Sequence, residues 1–258
     1  MAERKSYVPG TPSWVDLGTA DTQAAARFYG ELFGWSAGFD PRPEAGGYGM
    51  FTLRERPVAG IGPQMNPGPP HWAVYVSVAD VDASAAKVGE KGGKLLAGPM
   101  DVFTAGRMAV AQDKEGSPFS LWQPGDHIGA ELVNEPGTFT WNELATADLA
   151  GARDFYGAVC GWGVRGDDEG NDNAAIFTVE GNVVCGAHTA NPGEPPAWVV
   201  WFAVQDCDAS TALATGLGGS VVMPPTDLDF GRGAVLCDPQ GAVFGIAAVT
   251  GTAEGNGS

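Results

Sequence analysis

The sequence is poor in positive charge, in histidine and in cysteine. Its 258 residues include 14 lysines and arginines against 31 aspartates and glutamates, which gives a net charge of −17, and only three histidines and four cysteines. A surface this acidic repels phosphate backbones and anionic lipid headgroups. We therefore expect neither nucleic acid nor a membrane to be a partner of this chain.

Long hydrophobic runs are also lacking. The longest unbroken apolar run is AWVVWFAV at 197–204, far below the ~20 residues of a membrane-spanning helix. The opening MAERKSYVPG has no apolar segment of the kind found in secretory signals. The cysteines form no C-x-x-C pair and each has apolar neighbours; they are Cys160, Cys185, Cys207 and Cys237. Four buried thiols in a reducing cytoplasm are the expectation.

What the chain does have is an internal repeat. Residues 10–35 read GTPSWVDLGTADTQAAARFYGELFGW and residues 137–162 read GTFTWNELATADLAGARDFYGAVCGW, with 13 of 26 positions identical. The match resumes downstream, where 69–84 aligns with 195–210 and 106–122 aligns with 231–247. A repeat of this kind indicates that one unit has been duplicated. We predict two domains, at 10–123 and 137–248, joined by a linker at 124–136.

Each copy divides again into two halves with the same pattern. A strand ending at Thr19 is followed by a helix that begins at Asp21 and ends at Gly34, because apolar residues recur there at a spacing of three to four. The second half repeats the order, with a helix near Asp82 that ends at Gly92. In the first copy the strands are expected at 15–19, 48–53, 57–62, 71–78, 94–97, 107–111 and 118–122. The pattern predicts an α+β fold of four βαβββ modules in two tandem domains.

This arrangement resembles the vicinal oxygen chelate superfamily, which includes glyoxalase I, extradiol dioxygenases and bleomycin-resistance proteins. The resemblance is carried by TADTQAAARFYGELFGW and TADLAGARDFYGAVCGW after the first strands, and by GRMAVAQDKEGSPFSLW and GRGAVLCDPQGAVFGIA at the domain ends. It spans about 10–248, and within the superfamily the chain looks most like two-domain glyoxalase-like proteins. The fold is strongly implied, whereas the chemistry is not, because this fold hosts isomerases, dioxygenases, thiol transferases and plain binders.

The resemblance also implies where a divalent metal would be held. In enzymes of the superfamily, His or Glu ligands come from the first and last strands of the modules and meet in a cup formed by two modules. Projected onto this chain, those positions fall on Trp14, Trp141, Ala73, Val199, Ser120 and Gly245. Indole, methyl groups and hydrogen supply no metal ligand. We therefore expect no metal and no other cofactor, and leave open a displaced site at His71 or His188.

Strand alternation assigns a second set of residues to the cups. The first cup is predicted to contain Asp16, Arg107, Trp14, Tyr75 and Trp122, and the second cup Glu143, Arg232, Trp141 and Trp201. Aromatic walls with a few polar groups are typical of a small-molecule pocket. The same carboxylates and arginines could instead pair with one another and fill the interior of each domain.

Two functions stay open at this stage. The first is a binder of a small, partly aromatic metabolite or antibiotic in a metal-free cup, as in the bleomycin-resistance branch. The second is a lyase, isomerase or hydroxylase-like tailoring enzyme, in which Asp16 or Glu143 acts as a base beside Arg107 or Arg232. The sequence contains no phosphate loop or dinucleotide fingerprint that would suggest another chemistry. We favour the binder; the sequence leaves the ligand and the oligomeric state open.

The second cup is the more promising of the two. Gly245 and Ala247 stand where the first copy has Ser120 and Trp122, which predicts more room for a ligand. Glu143 is also one methylene longer than Asp16, so its carboxylate should extend further into the cup.

Overall fold

The computed structural model describes residues 2–64, 68–166 and 173–249. The first copy contains β2 (Pro12–Thr19), α1 (Thr22–Phe33), β3 (Ser36–Phe39), a 3-10 turn (Pro43–Ala45), β4 (Gly49–Leu53), β5 (Arg56–Pro63), β6 (His71–Ser77), α2 (Val81–Glu90), β7 (Lys94–Val102), β8 (Gly106–Gln112) and β9 (Pro118–Pro124). The second contains β11 (Phe139–Thr146), α3 (Leu149–Cys160), β12 (Gly163–Val164), β13 (Ala174–Val179), β14 (Asn182–Thr189), β15 (Ala197–Ala203), α4 (Cys207–Gly216), β16 (Ser220–Leu228), β17 (Gly231–Cys237) and β18 (Val243–Val249). Two further short strands, β1 (Ala2–Glu3) and β10 (Leu132–Val133), pair with each other.

Each copy builds one eight-stranded sheet. The strand orders are β3-β4-β5-β2-β6-β9-β8-β7 and β12-β13-β14-β11-β15-β18-β17-β16, so the two sheets have the same topology. In each sheet the first strands of the two modules, β2 with β6 and β11 with β15, pair antiparallel at the centre. The predicted α+β fold of four βαβββ modules in two tandem domains is confirmed. The short strands β3 and β12 complete the βαβββ order of the first module in each domain, at positions that the sequence pattern did not locate.

Local signals explain where the helices begin and end. Asp21 caps α1 by accepting hydrogen bonds from the backbone N–H groups of Gln23 and Ala24, which the first turn of a helix otherwise leaves unpaired. Gly34 ends the helix with a φ of 75°, a left-handed conformation that favours glycine. The second helix begins one residue earlier than predicted, because Asp80 rather than Asp82 is its cap. No helix in the described ranges is long and apolar enough to cross a membrane.

The two domains are joined through their helices by a reciprocal pair of hydrogen bonds. Tyr29 of α1 is fully buried and donates to Asp238 Oδ2 in the second domain over 3.1 Å, and it accepts from Trp72 Nε1 over 3.0 Å. The counterpart Tyr156 of α3 donates to Asp113 Oδ2 in the first domain over 3.0 Å and accepts from Trp198 Nε1 over 3.0 Å. Each helix tyrosine therefore links the sheet of its own domain to a turn of the other.

Aromatic packing reinforces this junction. The rings of Phe33 and Phe202 lie 5.0 Å apart across the domains, and those of Phe119 and Tyr156 lie 5.3 Å apart. The aromatic residues near the helix ends thus form a core shared by both domains. Since the helices occupy this shared layer, the opposite face of each sheet is left free.

We expect Tyr29→Phe to lower the free energy of unfolding by about 1–3 kcal/mol, because it leaves the buried Trp72 N–H without an acceptor and removes one donor from Asp238. Urea denaturation followed by tryptophan fluorescence measures the loss. The control Thr140→Val removes an exposed hydroxyl whose partner is Asn134 and should stay within about 0.5 kcal/mol of the wild type. Equal effects of the two substitutions would contradict the role given to Tyr29.

Candidate functional site

The face of each sheet that points away from the helices carries most of the residues predicted for a site. In the first sheet, Trp14, Tyr75 and Ser120 are neighbours across three strands and share this face, whereas Val15 and Leu17 point to the helices and are fully buried. We call this face of the first sheet the first cup. The equivalent face of the second sheet, defined by Trp141, Glu143 and Trp201, is the second cup.

The prediction for Arg107 is wrong, because this side chain lies on the helix face. Its Nε donates to Asp82 Oδ2 of α2 over 2.8 Å and its Nη1 donates to Asp101 Oδ1 over 2.9 Å. Arg107 therefore fastens the first turn of α2 to the edge of the sheet. Asp16 lies on the other side of the sheet, so the predicted pair between these two residues does not form.

The prediction for Arg232 fails in the same way. Its guanidinium bonds to Asp208 of α4, with Nε 2.5 Å from Oδ2, and to Asp227 of β16, with Nη1 2.9 Å from Oδ1. It is therefore directed toward the helix and away from Glu143. The second cup thus contains neither this arginine nor a salt bridge from it to the cup carboxylate.

Both errors come from the alternation assigned to the late strand. Placing Arg107 in the cup requires its neighbours Met108 and Val110 to pack under the helix, yet these two side chains are half-buried on the cup side. Ala109 and Ala111 are the residues that are fully buried beneath α2. Small side chains let a helix approach a sheet closely, so Ala109 and Ala111 are the residues that face α2. Arg107 lies on the same face of the strand as these alanines and therefore also points to the helix.

The carboxylate of the first cup is held by tyrosine hydroxyls. Tyr75 donates to Asp16 Oδ2 over 2.7 Å and Tyr48 donates to the same oxygen over 3.5 Å, while Trp14 Nε1 donates to the Tyr48 hydroxyl over 3.0 Å. Gly60 lies directly beneath this network. A Cβ atom at that position would be 2.0 Å from the Tyr48 hydroxyl oxygen and 2.7 Å from the Asp16 Cβ, so the network requires glycine there.

This environment changes the acidity of Asp16. Burial raises its pKa to about 6, against the opposing effects of the Tyr75 hydrogen bond, the nearby His71 and the Tyr48 hydrogen bond. Desolvation disfavours the charged form of a carboxyl group, and no arginine among the described residues pairs with Asp16 as Arg107 does with Asp82. Asp16 therefore changes its protonation state within the range where many enzymes work.

A segment of the linker covers one end of the first cup. The imidazole of His127 packs edge-on against Trp14 with ring centroids 4.5 Å apart and against Trp122 at 5.8 Å, and Trp122 Nε1 donates to the His127 carbonyl over 2.9 Å. Burial lowers the pKa of His127 to about 4. Trp122 lies in the cup as predicted, and together with His127 it fills that end.

The second cup surrounds its carboxylate differently. Trp141 Nε1 donates to Glu143 Oε2 over 2.5 Å, and His188 Nδ1 lies 3.3 Å from Glu143 Oε1. The other ring nitrogen of His188 lies 3.3 Å from the Glu194 carboxylate. The hydrogen bond to Glu143 is the main cause that raises the pKa of His188. The His188 imidazole thus contacts the carboxylate of the second cup, as the tyrosine hydroxyls do in the first cup.

Trp201 lies at the floor of the second cup. A Cβ atom at Gly245 would be only 2.2 Å from Trp201 Cδ2, so the indole itself occupies the space that the sequence assigned to a ligand at that glycine. Its Nε1 is buried and has no hydrogen-bond partner among the described residues. Phe230, which is 45% exposed, packs edge-on against the indole with centroids 5.9 Å apart. The N–H group of Trp201, which lacks an acceptor among the described residues, therefore lies beneath the exposed ring of Phe230.

Sequence reasoning missed Tyr48 and the role of His188. The repeat offered a signal: Tyr48 aligns with Ala174, while Gly62 aligns with His188. In the first cup Tyr48 lies over Gly62, where an added Cβ would be 3.2 Å from the tyrosine ring. In the second cup Ala174 and His188 are cross-strand neighbours. Each cup therefore has one large ring at this place, contributed by different strands.

The donors do not fit the metal that the superfamily's enzymes hold. Within the described ranges, no group of three His, Cys, Asp or Glu residues converges on a point that could hold an ion. Glu143 and Glu194 approach opposite nitrogens of His188 and so lie on opposite sides of the ring. His71 has its Nδ1 3.4 Å from the carbonyl of Pro69. We derive no chemistry through a metal from these residues.

A surface groove of about 290 Å³ lies on the helix side of the molecule rather than in a cup. Its polar lining residues Asp238 and Gln240 already bond to Tyr29 and to the backbone of Asp21. We place the candidate site in the cups, because Asp16 and Glu143 are half-buried and have no arginine or lysine partner among the residues that the structure describes.

The raised pKa of Asp16 predicts a pH-dependent stability. Between its ordinary value of 3.8 and about 6, the folded state binds the Asp16 proton more tightly than the unfolded state does, so a rise in pH through this window weakens the fold. Asp16→Asn should therefore gain stability relative to the wild type from pH 4.5 to pH 7.5, by about 2 kcal/mol. Urea denaturation at the two pH values measures the change. Asp154→Asn removes an exposed charge as a control, and an equal trend in that variant would refute the assignment.

Comparison with known proteins agrees with this architecture. A model described as "Glyoxalase/Bleomycin resistance protein/Dioxygenase superfamily" matches residues 11–121, and one described as "Glyoxalase-like domain" matches residues 141–247. Among solved structures, the Mn(II)-bound glyoxalase from Novosphingobium aromaticivorans is 16% identical with a TM-score of 0.64, covering 93% of this chain and 82% of its own. The 2,3-dioxygenase LapB from Pseudomonas sp. KL28 is 13% identical with a TM-score of 0.64, covering 92% and 91%. These two similarities show the fold.

Relatives similar in sequence span both domains. "Putative glyoxylase CFP32" of Mycobacterium tuberculosis is 44% identical over 257 residues, which are 95% of this chain and 97% of that protein. "Anthracycline biosynthesis protein DnrV" of Streptomyces peucetius is 38% identical and covers 93% of this chain and 94% of its own. With two matching domain models and relatives of this identity along almost its whole length, the chain belongs to the glyoxalase/bleomycin resistance protein/dioxygenase superfamily.

Proposed function

We propose that the protein binds a small, partly aromatic metabolite in the second cup, without a metal. The observation that carries the proposal is the buried Nε1–H of Trp201, which has no acceptor among the described residues. A buried donor without a partner costs free energy that a ligand acceptor recovers. A carbonyl oxygen on a flat ring system suits this donor, because the exposed ring of Phe230 beside the indole offers a surface for stacking.

The other walls of the second cup fit the same ligand. Trp141 is half-buried and Phe230 is exposed, so aromatic surface is available above the floor. The side chains of Glu143 and His188 are 24% and 32% exposed, and the carboxylate can accept a hydrogen bond from a ligand hydroxyl. A compound with a carbonyl and a hydroxyl on fused aromatic rings would meet both polar groups.

The first cup is less suited to a ligand of this size. Trp122 fills one end of this cup, where the second cup has Ala247. The linker histidine adds a further ring at that end. The difference in volume between the cups favours the second for binding.

The relatives support the same class of compound. DnrV and the 37%-identical DauV of a Streptomyces strain are both named anthracycline biosynthesis proteins, and anthracyclines are hydroxylated polycyclic quinones. We place the protein in the cytoplasm, where its free thiols would stay reduced. A cup that holds such a compound would serve to sequester it or to present it to another enzyme.

The test uses 1,2-dihydroxyanthraquinone, titrated by calorimetry and tryptophan quenching. Trp201→Phe keeps an aromatic ring but removes the N–H, and should weaken binding about 5- to 10-fold, the worth of one buried hydrogen bond. Glu143→Gln should weaken it to a similar degree, because the charged acceptor becomes neutral.

Matched controls come from the other copy. Tyr75→Phe alters the first-cup counterpart of Trp201, and Arg232→Ala alters the helix face of the second domain; both should bind as the wild type does. If Asp16→Asn and Tyr75→Phe weaken binding while Glu143→Gln does not, the ligand occupies the first cup and the proposal fails.

A further inference from the structure

The first cup contains a carboxylate for which the proposed binding function has no use. Both phenols that approach Asp16 bond to its Oδ2 atom, so Oδ1 receives no hydrogen bond from the described residues. The side chain is half-buried rather than fully enclosed. One oxygen is therefore fixed in place, and the other remains available to a molecule in the cup.

No arginine or lysine among the described residues pairs with this carboxylate. The groups that face Asp16 are Tyr75 and His71 from β6, Tyr48 from the start of β4 and the bare backbone of Gly60 from β5. The structural carboxylates of the domain junction have both oxygens engaged: Asp238 accepts from Tyr29 with Oδ2 and from the N–H groups of its own turn with Oδ1. An unpaired carboxylate in partly desolvated surroundings lowers stability, and such groups concentrate at sites of chemistry.

Tyr48 is placed to assist a reaction at Asp16. Its hydrogen bond to Asp16 Oδ2 is 3.5 Å, at the limit of such bonds, while the donation from Trp14 Nε1 at 3.0 Å polarises its hydroxyl. A phenol held in this way can turn its proton to an oxygen that becomes negative during a reaction. The network thus offers a base and a hydrogen-bond donor side by side.

From this geometry we infer that the first cup is a metal-independent proton-transfer site, in which Asp16 Oδ1 is the general base for a cyclic or aromatic ketone with an acidic C–H beside its carbonyl. In the first step the C–H bond breaks, the proton forms an O–H bond to Asp16, and the electron pair moves onto the carbonyl oxygen to give an enolate that accepts from Tyr48. In the second step Asp16 returns the proton to the same carbon or to a conjugated one. The net change is an isomerisation or an exchange, and no oxidant or reductant is consumed.

The walls of the first cup suit such a substrate. Met50, Met108 and Val110 are half-buried on the cup side, and Trp14 and Tyr75 add aromatic surface. Apolar surroundings keep water away from the base and strengthen its hydrogen bonds. The substrate is therefore expected to be an uncharged, largely apolar ketone, since the carboxylate and the net charge of −17 disfavour an anion.

The test is deuterium exchange into 2-tetralone in D2O, followed by proton NMR with the full chain. The wild type should accelerate exchange at the carbon between the ring and the carbonyl, and Asp16→Asn should lower the protein-catalysed rate at least about 100-fold, as expected for loss of a general base. No catalysed exchange by the wild type, or an Asp16→Asn rate equal to the wild type, would overturn the inference.

The pH profile separates a base from a structural residue. The wild-type rate should rise with pH and level off above about 6, because only the ionised carboxylate accepts the proton. Tyr75→Phe removes a hydrogen bond that favours the carboxylate, so the midpoint of the profile should move to higher pH. If Tyr75→Phe changes the rate at all pH values but leaves the midpoint in place, Tyr75 does not tune the base.

Variants of the second cup keep this inference distinct from the binding function. Glu143→Gln should weaken anthraquinone binding, whereas Asp16→Asn should lose exchange of 2-tetralone and keep that binding. The exposed change Thr140→Val should leave the exchange rate at the wild-type value. Near-UV circular dichroism confirms that each variant is folded. Loss of exchange in Glu143→Gln alone would place the base in the second cup and refute the assignment to Asp16.

Discussion

The hydrogen bond from a helix tyrosine to a turn aspartate of the opposite domain is the contact on which the rest of the structure depends. Tyr29 reaches Asp238 and Tyr156 reaches Asp113. Each aspartate also accepts from the backbone of its own turn, as Asp238 does from the N–H of Ala242, so one carboxylate fixes both the turn and the neighbouring domain. Because this contact draws the helices into the middle of the molecule, the outer face of each sheet is free to become a cup.

Duplication supplied two equivalent cups, and their chemistry then diverged through an exchange of side chains. Tyr48 over Gly62 in the first cup corresponds to Ala174 beside His188 in the second. The volume at this place is similar in both, because one large ring is present in each. The character of the ring differs: the phenol hydroxyls surround Asp16 as neutral donors, whereas the imidazole lies between Glu143 and Glu194 as a group that can carry charge.

Because lysine and arginine are scarce in this chain, the neutral or ionisable character of these rings determines how the cup carboxylates are stabilised. Exposed carboxylates such as Asp82 and Asp208 take arginine partners on the helix faces, while the carboxylates in the cups are met by tyrosine, tryptophan or histidine. Asp16 is therefore desolvated without being neutralised, and its pKa rises. Glu143 is instead tied to an imidazole that is partly open to solvent. The two cups thus surround their carboxylates with different chemistry.

The sequence by itself determined the duplication, the βαβββ order and the helix ends, because these depend on residues close together in the chain. Asp21 and Gly34 act within one turn of the helix they limit. It also placed Trp14, Asp16, Tyr75 and Trp122 in the first cup, and Trp141, Glu143 and Trp201 in the second, since alternation along a central strand is local.

Only the tertiary structure decided which side chains of β8 and β17 point to the helices and which residues come together in the cups. Arg107 lies on the helix face, contrary to the prediction, because two alanines rather than two larger residues pack beneath α2. The sizes of the side chains in the strand do not predict which of them face the helix. Tyr48 reaches Asp16 from 32 residues away, and the linker residue His127 packs against Trp14. Contacts between distant segments depend on how sheets and helices stack, and that stacking is set by the shared aromatic core rather than by any single stretch of sequence.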